Sequence, residues 1–213
     1  MNDSQCEIYL IRHGLTDWNE LGILQGQLDI PLNDTGRVQA EELYTKIKDV
    51  PFAAAYASDL SRASETASIV LKDRELDIIT TPMLREMYLG NWQGLKSAAL
   101  VEWLTANNIS TLGYPRDEYL DFKIDPDCES YSNIFERTLN FIRDVAIKHL
   151  GSSILVSAHG GVLSSFLYYF DFKPELRWKV PNCAYIKLRI GADLEIEIIE
   201  RLGIVTTEDP SIP

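Results

Sequence analysis

The stretch from Glu7 to Asn19, EIYLIRHGLTDWN, decides the fold. Ile8 to Ile11 form an unbroken apolar run, short and bounded by a turn, as a strand buried on both faces would be. The run breaks at Arg12-His13-Gly14, where the glycine lets a ligand approach the backbone closely. Outward from it the pattern recurs. Phe52 to Ala57 is a second strand and opens through Ser58-Asp59 into a helical stretch, Leu60 to Leu71. Ser153 to Ala158 (SILVSA) is again near-continuously apolar. It breaks at His159-Gly160-Gly161 and precedes an apolar helix from Val162 to Phe170.

The intervening helices have readable ends. Asn33 caps one in which Val38, Leu43 and Ile47 recur near helical spacing, and Pro51 stops it. Ser130 caps a longer one through His149, with Ile134, Phe141 and Val145 toward the core and Gly151 at its end. Leu76 to Thr80 is a short β-rich run closed by Pro82. Ala184 to Ile190 and Leu194 to Ile199 alternate as a hairpin around Gly191-Ala192-Asp193. Strand alternating with helix predicts an α/β fold, a three-layer sandwich with a mostly parallel sheet and helices on both faces. Residues 95–129 break the rhythm. They begin as a helix with Leu100, Trp103 and Leu104, then lose periodicity, and read as an insertion over one end of the sheet. The tail, 205–213, reads as mobile.

Composition bounds the rest. The 213 residues suit one domain that buries about 70 % of its unfolded surface. Hydrophobic residues at 46 % and charged ones at 24 % exclude a disordered chain. A net charge of −12 argues against nucleic acid as a partner, because phosphate-backbone binding needs a cationic footprint. It also opposes anionic small molecules unless a local cluster reverses the potential, which screening over ~8 Å permits. No run of about 18 apolar residues offers a membrane span. The opening MNDSQCE has no secretory pattern, so a cytoplasmic location is expected. Cys6, Cys128 and Cys183 are too few and too scattered for a disulfide framework or a zinc site, and no metal or cofactor is expected. The final strand pair leaves a sheet edge open, and with it a homodimer.

Open parallel sheets bind ligands beyond the carboxyl ends of their strands. His13 and His159 stand at such ends. His149 ends a helix, where a structural place near the negative end of the dipole fits better. Four motifs accompany the two histidines: Arg12-His13-Gly14-Leu15-Thr16, Ser58-Asp59-Leu60-Ser61-Arg62-Ala63, Leu84-Arg85-Glu86 running into Gly90-Asn91-Trp92-Gln93-Gly94, and His159-Gly160-Gly161. Together, and in this order, they resemble the histidine phosphatase superfamily, the phosphoglycerate-mutase-like group. Thr66-Ala67 and Pro181-Asn182 also fit it.

The resemblance implies a nucleophile at His13 that becomes phosphohistidine. It implies phosphoryl contacts from Arg12, Arg62 and His159, a hydrogen bond from Asn19, and a general acid at Glu86. Gln25-Gly26 align with a substrate-contacting turn, and Thr16 and Gly160 fall inside the binding motifs. The chemistry agrees. Phosphoryl transfer spreads charge over three equatorial oxygens, so catalysis is mostly positioning and cationic stabilisation. Arginine supplies a planar fork matched to phosphate. His13 must be neutral to attack whereas His159 serves better charged, which predicts different environments for the two rings. Glu86 must carry a proton to act as an acid. Arg85, Lys96 and Arg116 stand as candidate rim cations. Tyr88, Trp92, Trp103, Tyr114 and Tyr119 stand as candidate pocket aromatics.

Mutases of the group carry basic residues directly after the catalytic glutamate and an arginine pair in the insertion. Here Met87-Tyr88 come directly after Glu86, and Arg116 stands alone among acidic neighbours. A phosphatase acting on a small phosphorylated substrate is therefore expected, with a mutase or a non-catalytic ligand-binding member as the alternatives. The phosphatase branch often has Glu where this chain has Gln93.

Overall fold

The structure, a computed structural model, describes residues 4–110, 114–174 and 176–207. Its centre is a six-stranded sheet built from β1 (Gln5–Arg12), β2 (Phe52–Ser58), β3 (Ile78–Thr81), β4 (Ser153–Ala158), β6 (Tyr185–Gly191) and β7 (Ile196–Leu202). The spatial order is β3-β2-β4-β1-β6-β7. The first four strands in that order are mutually parallel, and β6 and β7 add antiparallel.

Two-residue alternation along the strands assigns the faces. Ile8 and Leu10 of β1, with Ile154 and Val156 of β4, join a cluster that holds Ile134 and Ile142 of α6 (Tyr131–Lys148) and Val162 and Phe166 of α7 (Gly160–Phe170). Tyr9, Ile11 and Leu155 join the opposite cluster. There they meet Leu43 and Ile47 of α2 (Asp34–Ile47) and Ala67 and Val70 of α3 (Ser61–Val70). A layer of helices therefore covers each face of the sheet, as the alternation predicted.

Several local expectations need correction. Val38 does not face the core; it is 58 % exposed, and the buried stripe of α2 is Gly36, Ala40, Leu43 and Ile47. The stripe is rotated because Gly36 packs backbone to backbone against residue 15, where a Cβ would lie 2.1 Å from the Leu15 carbonyl oxygen. A short helix α1 (Asp17–Glu20) comes after the first strand, capped by Thr16. Residues 205–207 are not a loose tail: they form β8 (Val205–Thr207), paired antiparallel with β5 (Arg177–Lys179). The remainder of the tail, 208–213, lies outside the described residues. The insertion contains α4 (Ser97–Ala106) and a second helix, α5 (Arg116–Asp121), where loss of periodicity suggested loop. Tyr119 and Leu120 dock α5 on Tyr168 of α7. Among the described residues no helix is long and apolar enough to cross a membrane.

Candidate active site

Strand order assembles the site. β4 lies between β1 and β2, with Arg12 opposite Ala158 and Ala57 opposite Ser157, so three carboxyl ends come side by side. Arg12 and His13 leave the first end, His159 the second, and Arg62 the helix that begins after the third. This is the crevice in which open α/β sheets place ligands.

His13 is buried, and its Nδ1 lies 2.6 Å from the Gly14 carbonyl oxygen. A carbonyl only accepts, so Nδ1 carries the proton and the neutral ring presents a lone pair at Nε2. The His159 ring is wholly buried with its centroid 5.1 Å from that of His13, and neither of its nitrogens has a hydrogen-bond partner. Arg62 is also wholly buried. It donates through Nη1 to the Leu28 carbonyl (2.7 Å) and through Nη2 to the Gly26 carbonyl (2.8 Å), while its Nε is unpaired. Arg12 donates through Nη1 to the Val180 carbonyl and likewise keeps a buried, unpaired Nε. Gly160 lies beside it, where a Cβ would be in ordinary contact with that nitrogen at 3.4 Å. Buried polar groups are normally satisfied. Here two arginine Nε–H donors are orphaned together with both nitrogens of His159, one of which carries a proton even in the neutral ring, and such a group has the chemistry of an anion site.

The fields of these groups act on one another. Burial lowers the pKa of His13 well below its ordinary value, and Arg12 and Arg62 reinforce the effect. His159 is likewise pushed well down, first by burial and then by Arg62. The expectation that the two rings differ in charge therefore does not hold for the protein groups alone. Both are neutral, because both sit in one buried cationic cluster. A phosphoryl dianion is the charge that would bring a proton to His159. Burial also brings Arg62 down to about 10, still a cation at neutral pH.

Glu86 reaches the same crevice from the loop after the 3-10 turn Pro82–Leu84. Its Oε1 and Oε2 each accept from the Gly161 N–H at 3.1 Å, and Oε1 accepts from the Met87 N–H at 2.7 Å. The carboxyl group thus rests on the first turn of α7. A Cβ on Gly161 would lie 2.2 Å from Oε1, so the Glu86 carboxyl group would have to leave this seat.

The remaining expected residues divide by role. Thr16 and Asn19 form a reciprocal capping box on α1, in which the Asn19 Oδ1 accepts from both the Thr16 N–H and the Thr16 hydroxyl. Asn182 donates to that same oxygen (3.3 Å) and to the His13 carbonyl (3.1 Å). With its oxygen so engaged, the Asn19 amide nitrogen is the group left to serve a ligand, and Thr16 positions it. Gly26 has φ +51°, and its carbonyl holds Arg62; Gln25 is buried with an unpaired Oε1.

The rim cations do not add to the site. Arg85 is held bidentate by Asp59 (2.7 and 2.6 Å), Arg116 pairs with Asp117, and Lys96 donates to the Leu21 carbonyl. Of the candidate aromatics, Tyr119 packs in a buried cluster and Trp92 meets Trp103 edge-on at 5.3 Å. His149 stays apart and pairs through Nε2 with the Tyr56 hydroxyl at 2.9 Å. No group of residues suited to hold a metal ion occurs among the described residues.

Two partners of Glu86 carry no sequence motif. Arg137 of α6 donates to the Glu86 carbonyl (3.0 Å) and forms an ion pair with Glu129, whose other oxygen accepts from the Tyr88 N–H. Gln27 donates to the Glu86 carbonyl from the other side, at 3.1 Å. The partner that could betray each role is a main-chain carbonyl, which no side-chain pattern encodes.

Known proteins resemble this chain in sequence and fold. The chain is 36 % identical over 176 residues to phosphoglycerate mutase-like protein 4 of Arabidopsis thaliana, covering 81 % of this chain and 73 % of that one. It is 34 % identical to the metal-independent phosphoserine phosphatase of the same plant, over 74 % of this chain and 65 % of that one. Phosphoglycerate mutase from Bacillus anthracis str. Sterne superimposes with a TM-score of 0.77 at 26 % identity, covering 98 % of this chain and 96 % of that one. The family model for the histidine phosphatase superfamily (branch 1) matches residues 8–196, a span that holds every group assembled at the sheet ends, and the chain belongs to that family.

Proposed function

We propose that the chain is a phosphatase for a small phosphorylated metabolite, acting through a phosphohistidine on His13. The observation that carries this reading is the orphaned donor set of Arg12, Arg62 and His159 around a His13 tautomer whose Nε2 is free to attack. In the first step Nε2 bonds to phosphorus, and the ester oxygen departs with the proton held by Glu86. In the second, water attacks the phosphohistidine and returns its proton to Glu86, so orthophosphate and free His13 result. Arg12, Arg62 and a His159 made cationic by the dianion balance the equatorial oxygens throughout.

The two residues directly after Glu86 favour hydrolysis over mutase transfer. Met87 packs against the core and Tyr88 is exposed, so neither presents a cation to a second anionic group. The similarity to a phosphoserine phosphatase from Arabidopsis thaliana supports the same choice. So does the similarity to the adenosylcobalamin/alpha-ribazole phosphatase of Escherichia coli, 34 % identical over 74 % of this chain and 75 % of that one. The test sets 4-nitrophenyl phosphate beside phosphoglycerates, with and without a chelator. Hydrolysis that resists the chelator and falls by about 10⁴-fold or more in His13→Ala is expected. Efficient phosphoglycerate isomerisation with negligible hydrolysis would overturn the reading.

A further inference from the structure

Gln93 stands where the family's phosphatases often carry Glu, and its surroundings give it a task. Residues 22–28 and 94–97 run against one another. Gly94 N–H donates to the Leu24 carbonyl (2.8 Å), Leu24 N–H to the Leu95 carbonyl (2.9 Å) and Ser97 N–H to the Gly22 carbonyl (2.8 Å). Past Gly94 this ladder continues through a side chain: the Gln27 backbone N–H donates to the Gln93 Oε1 at 2.8 Å. The amide lies flat on the turn, since a Cβ on Gly26 would come within 2.1 Å of that oxygen. The turn passes the restraint on in two directions. Its Gly26 and Leu28 carbonyls hold the Arg62 guanidinium, and its Gln27 Nε2 holds the Glu86 carbonyl.

We propose that Gln93 is a positioning residue that keeps Arg62 and Glu86 in register with each other through the 25–28 turn. This role rests on the phosphatase reading, in which Arg62 grips the phosphoryl group and Glu86 is the acid. The requirement is an accepting oxygen at the end of a side chain of this length, so the family's usual Glu would meet it and an isosteric apolar residue would not. Without the acceptor, the Gln27 N–H loses its partner in a half-buried turn.

The consequence is selective by leaving group. An alkoxide needs the proton of Glu86, whereas 4-nitrophenolate departs without one. Gln93→Leu should lower kcat on a simple alkyl phosphate by about 30-fold but on 4-nitrophenyl phosphate by only about threefold, and Gln93→Glu should stay within about threefold of the native protein on both. Gln93→Met replaces the leucine variant if that one does not melt cooperatively. Equal losses on the two esters, no loss at all, or a Gln93→Glu variant as impaired as Gln93→Leu would each overturn the proposal. The His13→Ala control separates the two readings: hydrolysis that survives it defeats the phosphohistidine mechanism, whatever Gln93 does.

Discussion

The sheet ends and the insertion of this protein are built on opposite plans. At the sheet ends, His13, Arg62 and His159 are buried and each is fixed by strand register or by backbone carbonyls. In the insertion, α4 has no fully buried side chain, and α5 is held mainly by Tyr119 and Leu120. The groups that would meet the phosphoryl oxygens are thus preorganised by the most rigid part of the fold, which is where transition-state charge must be met without reorganisation cost. The insertion contributes no side chain to that buried group and can vary more freely than the sheet ends.

The strongest break of this contrast is Gly161→Ala. It adds one methyl group in the rigid region, at a point where a Cβ would overlap the Glu86 carboxylate at 2.2 Å. Hydrolysis of an alkyl phosphate should fall about 10²-fold, the usual worth of a placed general acid, while the far-UV circular dichroism stays native. Activity within a few-fold of the native protein would mean that Glu86 need not rest on α7.

The rigid region should also dominate the response to acid. His13 and His159 have folded pKa values well below the ordinary histidine value of about 6.5, chiefly through burial and then through the neighbouring arginines. Only above about pH 7.5, a unit beyond the unfolded value, does neither form bind these protons, and there the pair contributes no pH dependence. As pH falls below it, the unfolded chain takes up protons that the folded one refuses. Stability is then lost at up to about 1.4 kcal/mol per histidine per pH unit, until the folded values are reached. Urea midpoints should drop between about pH 7 and 5, and a His13→Gln, His159→Gln double variant should drop less. An unchanged slope in the double variant would place the acid sensitivity elsewhere.

The same contrast governs what could be read from the sequence. Strands buried on both faces are written as apolar runs, so β1, β2 and β4 and their terminal His13 and His159 were legible, and the order of motifs located Arg62 and Glu86. Val38 misled because a glycine, not an apolar side chain, makes the closest approach of α2. The helix α5, RDEYLD, is mostly charged and exists by docking two residues, a tertiary effect that periodicity does not record. Arg137 and Gln27 were hidden for another reason. Their partner is the Glu86 carbonyl, and a main-chain acceptor is available at every position of every chain.

The smallest effect sharpens the comparison from the insertion side. Trp103 of α4 is 37 % exposed and meets Trp92 edge to face. Removing an aromatic pair of this kind costs about 1 kcal/mol, so Trp103→Ala should lower the melting temperature by only a few degrees. It should leave kcat on 4-nitrophenyl phosphate unchanged, because no group that touches the phosphoryl site depends on it. Any change belongs in KM, a few-fold at most, and should appear only with esters large enough to reach α4, since uniform binding energy lost at a distance from the reacting atoms moves KM alone. A fall in kcat on the small aryl ester would show that α4 helps to hold Glu86 or Arg62, and the insertion would then have to be counted with the rigid half of the molecule.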